Sequence, residues 1–248
     1  MLAAHGLSLR LGTTPALHDV ATELRRGEIT AICGPNGAGK STLLSCLAGL
    51  LKPDTGTVTL DGSALIGMAI KSRAQAIGYL PQHGAIAWDL SVRNLVALGR
   101  LPHGDAAAGG AEVVERTLAA LDLAALADRP VSALSGGERA RALFGRVLAG
   151  EPHWILADEP LAALDLAHQL AMLARLREAA RLGAGVVLVL HDLTLAMNHA
   201  DRVLVLSEGT LDQDGPPERA LSRSAIREVW NVDAQWLGEP GARALSTR

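Results

Sequence analysis

The sequence predicts an α/β protein with a mostly parallel sheet, antiparallel side strands and an inserted helical lobe. Three observations lead there. Short apolar runs of strand length recur at Ile29–Cys33, 154–157, 186–190 and 202–206. Stretches of helical spacing, such as Leu166–Arg181, separate them, and strands that alternate with helices form a parallel sheet. Between Pro81 and Gly150 the strand pattern disappears.

Each element has its own signal. Ile29–Cys33 is bounded by Gly27 and Gly34 and reads as a buried strand. Residues 40–51 carry apolar side chains at helical spacing and stop before Pro53. Asp54-Thr55-Gly56 and Asp61-Gly62 bracket Thr57-Val58-Thr59-Leu60, an antiparallel strand at the side of the sheet. Helix-like segments at 92–100, 112–126 and 138–148 make the lobe, with a loose loop from Gly104 to Gly110. This reading gives one domain over 1–248. Its α/β core is 1–82 and 151–225, its helical lobe 83–150, and its C-terminal tail 226–248, helix-like to Trp230.

Composition narrows the function classes. A chain of 248 residues with a net charge of −3 has no field suited to wrapping nucleic acid, so no nucleic-acid partner is expected. No apolar run approaches the roughly 18 residues that span a bilayer. Met1-Leu2-Ala3-Ala4-His5-Gly6 lacks the pattern of a signal peptide. The two cysteines, Cys33 and Cys46, flank a glycine-rich loop without metal-site spacing and read as buried reduced thiols.

That loop carries the first chemical signal. Gly34-Pro35-Asn36-Gly37-Ala38-Gly39-Lys40-Ser41 satisfies G-x-x-x-x-G-K-[ST] between a strand and the helix opening at Lys40-Ser41-Thr42. Glycines let backbone N–H groups curl around phosphate oxygens, and the helix adds its positive end. Lys40 would neutralise the β/γ oxygens and the Ser41 hydroxyl would coordinate Mg²⁺. This makes a P-loop nucleotide-binding core, an architecture that kinases, GTPases and motor ATPases share. The second signal is Asp158-Glu159, at the carboxyl end of the apolar run 154–157, where ligands bind in open α/β sheets. Adjacent strand residues point to opposite faces. The division gives Asp158 to the Mg²⁺ shell and makes Glu159 the general base that polarises the attacking water.

Leu134-Ser135-Gly136-Gly137-Glu138 resembles the signature motif of ABC ATPases. The resemblance runs over residues 5 to 215 and implies ATP as the nucleotide. It also implies a head-to-tail homodimer, in which Ser135, Gly136 and Gly137 of one subunit close over ATP held by the other. Gln82, in Tyr79-Leu80-Pro81-Gln82, resembles the Q-loop glutamine that senses Mg²⁺ and the γ-phosphate. Ala163-Leu164-Asp165 resembles the D-loop that crosses the interface, and His191 the switch histidine that contacts the γ-phosphate. Two departures stand out: Leu11 lies where the family stacks an aromatic on adenine, and Glu138 replaces a more usual Gln.

The segments 78–83 and 90–103, and the tail from Gly215-Pro216-Pro217, look most like ATPases of siderophore, haem and cobalamin importers. That likeness implies uptake of a metal-chelate cargo through a separate membrane permease, with a periplasmic binding protein upstream. The subunit would then be peripheral, on the cytoplasmic face of the inner membrane. The alternatives are an ABC ATPase of another importer or exporter, a non-transport ABC assembly scaffold, and a P-loop kinase. The signature and His191 argue against the kinase. The segment 83–88, which carries Trp88, is expected to receive a short cytoplasmic helix of the permease.

Overall fold

A computed structural model describes residues 1–82, 89–105, 110–162 and 164–247. In chain order the first elements are β1 (Leu2–Leu11), β2 (Thr14–Leu24), β3 (Ile29–Cys33), α1 (Lys40–Leu47), β4 (Thr55–Leu60) and β5 (Ser63–Ala64). Next come α2 (Ile70–Ala76), β6 (Ile77–Leu80), α3 (Val92–Ala97), α4 (Gly110–Ala120), α5 (Gly136–Ala149), β7 (Trp154–Asp158) and α6 (Leu166–Arg181). The chain then forms β8 (Gly185–Val189), α7 (Leu193–His199), β9 (Arg202–Ser207), β10 (Thr210–Gly215), α8 (Pro217–Ala220) and α9 (Arg223–Trp230). It ends with β11 (Ala234–Leu237) and β12 (Ala244–Thr247). Contacts divide it into two compact units, Met1–Met68 with Leu176–Arg248, and Ala69–Arg175.

The first unit holds two sheets. In one, β3 lies parallel between β8 and β9, and β10 closes the edge antiparallel to β9. Every residue of β3 and β8 is buried, which is why both read as unbroken apolar runs. The other sheet is antiparallel, in the order β2-β1-β4-β5, so the predicted side strand at 57–60 is present and pairs with β1. The helix read over 40–51 stops at Leu47. Gly49 turns left-handed at φ +69°, Gly49 N–H donates to Cys46 O and Leu50 N–H to Ser45 O, a glycine-terminated C-cap. Beyond Trp230 the tail forms the β11–β12 hairpin, which docks on α7. Asn198 Nδ2 donates to Arg243 O, and Arg243 N–H donates to Asn198 Oδ1, both at 2.8 Å.

The second unit pairs β6 with β7 in parallel and takes in α2 to α5. Among the described residues from Pro81 to Gly150 the only strand-like pairing is a bridge between Ser91 and Pro130. The helix read over 92–100 ends at Ala97 and tightens into a 3₁₀ turn over Leu98–Arg100. Gly99 lies against α5 there, and a Cβ on it would sit 2.1 Å from Arg146 O. Arg100, 5% exposed, caps the arrangement by donating to Ala149 O, Asp105 and Glu151. Trp154 opens β7 fully buried.

Candidate nucleotide site

The phosphate loop joins β3 to α1 within the first unit. Its glycines meet different demands. Gly34 (φ +149°) and Gly39 (φ +95°) press against backbone, because a Cβ on them would lie 2.2 Å from Leu206 O and 2.4 Å from Ala16 O. Gly37 (φ +80°) has nothing within 4 Å of that position, so the loop is open on its side. Ala38 O accepts from Gly209 N–H at 3.2 Å, and His18 N–H donates to Gly209 O at 2.8 Å; the β9–β10 turn and β2 thus brace the loop. At its end Gly39 caps α1 without any side-chain hydrogen bond, and no acidic residue lies in the first turn. The positive end of the helix is therefore left to an external anion.

Lys40 is 6% exposed, and its Nζ donates to Gly34 O at 2.9 Å and Pro35 O at 2.8 Å. The ammonium is folded over its own loop, aimed by two carbonyls. Ser41 is exposed, next to a half-buried Thr42. Behind the loop, Cys33 is buried, and burial pushes its thiol up to about 12, with Lys40 pulling down and Asp192 pushing up. Those two charges place the start of α7 in the same neighbourhood. The register agrees: Ile32 pairs with Val189 and Leu190 N–H donates to Ile32 O, and the exposed His191 follows β8 by two residues, as Gly34 follows β3 by one. Asp192 then caps α7, its Oδ1 accepting from Thr194 N–H and Leu195 N–H at 2.7 and 3.2 Å.

The remaining candidates belong to the second unit. Asp158 ends β7, 5% exposed. Glu159 leaves the strand at once with φ +49°, so alternation along a strand does not describe the pair; a left-handed turn separates their directions. Asp165 is exposed, accepts from His168 N–H at 2.9 Å and pairs with His168 Nδ1 at 2.8 Å. The His168 backbone N–H, then its ring, hold the Asp165 carboxyl below its usual range. Gln82 is exposed just beyond β6. Sequence reading ended this motif at Asp165 and missed His168 and Gln169; a polar pair three and four residues after a helix-capping Asp is the signal that could have found them.

Ser135 N-caps α5 in a reciprocal box: Glu138 N–H donates to Ser135 Oγ at 3.3 Å, and Ser135 N–H donates to Glu138 Oε2 at 2.8 Å. The carboxylate at position 138 thus holds the cap that an amide could also make. Ser135 and Gly136 are exposed at the start of this 14-residue helix, whose first turn already carries the Glu138 carboxylate. Leu11, half exposed at the end of β1, is an apolar surface in the same unit as the phosphate loop. Trp88 and its segment 83–88, as well as Ala163, lie outside the described residues.

Comparison with known proteins bears on these parts. A family model described as ABC transporter matches residues 17–162. The hemin import ATP-binding protein HmuV of Pseudomonas putida is 42% identical over 245 residues, covering 97% of this chain and 96% of that protein. The chain superposes on an inward-facing metal-chelate type ABC transporter with a TM-score of 0.82, at 27% identity, over 100% of this chain and 96% of that one. It also superposes on the dimeric ATP-binding cassette MJ0796, in a post-hydrolysis state bound to ADP and Pi. There the TM-score is 0.77 and the identity 27%, over 88% of this chain and 99% of that one.

Proposed function

This chain belongs to the ABC transporter family as an ATP-hydrolysing subunit, and from that premise we propose that it powers uptake of haem through a separate membrane permease. The observation that carries the cargo is the 42% identity, over nearly the whole chain, to a hemin import ATPase. A periplasmic binding protein would deliver the cargo, and the subunit would sit on the cytoplasmic face of the inner membrane. Among the described residues no helix is long and apolar enough to cross a membrane.

The proposed chemistry follows from the parts. The uncapped start of α1, the open side at Gly37 and the buried Lys40 suit a triphosphate, whose charge they match. Mg²⁺ would be held by the oxygens of Ser41, Asp158 and Gln82, where it would neutralise charge on the transferring phosphoryl group. The donor set fits: one carboxylate and two neutral oxygens suit a hard cation that keeps waters and phosphate oxygens. Glu159 would take the proton of the attacking water, and His191 would contact the γ-phosphate. Ser135, Gly136 and Gly137 would close over the nucleotide of the second subunit, with Asp165 at the interface.

The cargo is tested by reconstituting the chain with a haem permease and its binding protein. Haem-loaded binding protein should stimulate ATP hydrolysis in proteoliposomes. Stimulation by an iron-siderophore or cobalamin complex, with none by haem, would overturn the cargo while leaving the importer intact.

A further inference from the structure

The loop between β7 and α6 is held in place by α6 itself. Gln169, in the first turn of that helix, donates from Nε2 to Leu161 O at 3.1 Å and to Leu164 O at 3.2 Å. Its backbone N–H donates to Asp165 O at 2.8 Å. A primary amide has two N–H donors, and both are committed to this loop. The acceptors belong to successive turns: Ala162 N–H donates to Glu159 O at 3.3 Å, and Leu164 N–H donates to Leu161 O at 3.2 Å. Leu161 and Leu164 are themselves 4% and 7% exposed, so both anchor points are packed. One side chain thereby ties the turn that starts at Glu159 to the turn that ends at Leu164. His168, its neighbour, fixes the Asp165 carboxylate from the same helical turn.

The loop needs such a hold. Glu159 sits at φ +49°, a conformation that costs a non-glycine residue about 1–2 kcal/mol and persists only where its surroundings over-determine the backbone. Released, residue 159 would relax toward negative φ and swing its Cα–Cβ bond away from its present direction.

We propose that Gln169 is a positioning residue for ATP hydrolysis, whose amide locks the turns from 159 to 164 and so aims Glu159 and presents Asp165, without itself touching nucleotide. The proposal rests on Glu159 being the general base. A displacement near 1 Å at a reacting group can cost about 10²-fold in rate. Nucleotide affinity, by contrast, resides in the phosphate loop. Loss of the Gln169 amide should therefore lower kcat and spare KM.

The test compares steady-state ATP hydrolysis and thermal unfolding of the full chain with those of Gln169→Leu, Gln169→Arg and Glu159→Gln. Gln169→Leu should lose about 10- to 100-fold in kcat, with KM for ATP nearly unchanged and the unfolding temperature close to wild type. Gln169→Arg, which offers paired N–H donors at similar reach, should restore most of the rate. Where Gln169→Leu fails to fold, Gln169→Glu takes its place, since a carboxylate keeps the length and loses the donors. Near-wild-type turnover in Gln169→Leu beside an inactive Glu159→Gln would overturn the positioning role alone. So would a joint fall in kcat, KM performance and unfolding temperature that Gln169→Arg does not restore, which would mark an ordinary structural role. Near-wild-type turnover in Glu159→Gln would remove the base assignment and this proposal with it.

Discussion

A methyl group on Gly39 would lie 2.4 Å from Ala16 O and 3.0 Å from Leu17 Cδ2, on backbone already at φ +95°. Gly39→Ala should therefore destabilise the protein by about 2 kcal/mol or more, through strain and a backbone clash together. At Gly37 (φ +80°) the same methyl meets nothing, so Gly37→Ala carries only the left-handed penalty, about 1 kcal/mol, and places its bulk on the open side of the loop. Differential scanning fluorimetry should rank Gly39→Ala well below Gly37→Ala in unfolding temperature, while ATP titration should show Gly37→Ala weakened. Lys40→Ala should weaken ATP binding by roughly 10- to 150-fold, the loss of charge-assisted hydrogen bonds worth about 1.5–3 kcal/mol. Burial pushes the Cys33 and Cys46 thiols up to about 12 and about 11. The nucleophile is the thiolate. Neither should titrate with a disulfide reagent at neutral pH in the native protein, and both should react in guanidinium; a reactive native thiol would contradict that burial.

At the scale of the element, α5 shows how local chemistry and site chemistry share one residue. Ser135→Ala removes one arm of the capping box and should cost about 1 kcal/mol of stability. Glu138 adds a pH dependence. The Ser135 backbone N–H, then its hydroxyl, hold the carboxyl below its ordinary value of 4.5. A depressed folded pKa means the stabilisation is present above pH 4.5 and is lost as pH falls below it through the folded value. Denaturation midpoints of wild type and Glu138→Gln should differ by a constant amount above pH 5 and converge on acidification; a gap that persists at low pH would show that the carboxylate is idle. Which elements were legible follows from the same physics. β3, β7, β8 and β9 are buried on both faces and announce themselves as apolar runs, and the Ser135 start of α5 sits in plain sight. β1 and β2 did not announce themselves. Their pairing shifts register between Ala4 and Leu7, between Leu7 and Leu9, and between Leu9 and Arg10, and these irregularities break the alternation by which a half-buried strand is read. The β11–β12 hairpin buries little beyond Ala234, so its sequence carries no inside-outside contrast. At the site, the motif residues were readable because each lies at an element's end. Gln169 was not, because its contribution is a bond back to carbonyls, and carbonyls have no letter in a sequence.

At the scale of the whole molecule, the proposed unit is a pair. The solved cassette MJ0796, which shares this fold, is dimeric, and a ligand that bridges two subunits stabilises the bridged state by mass action. Sedimentation of Glu159→Gln with ATP should show a dimer, and adding Ser135→Arg should abolish it. Equal dimerisation in the double variant would place the bridging contact elsewhere. The left-handed turn at Glu159 also has a consequence for selection. Asn tolerates that backbone far better than Glu, so Glu159→Asn should stabilise the fold by about 1 kcal/mol, or roughly 2–4 °C in Tm, while removing the proposed base. A screen that rewards heat resistance alone would drift toward that substitution and collect robust, inactive proteins.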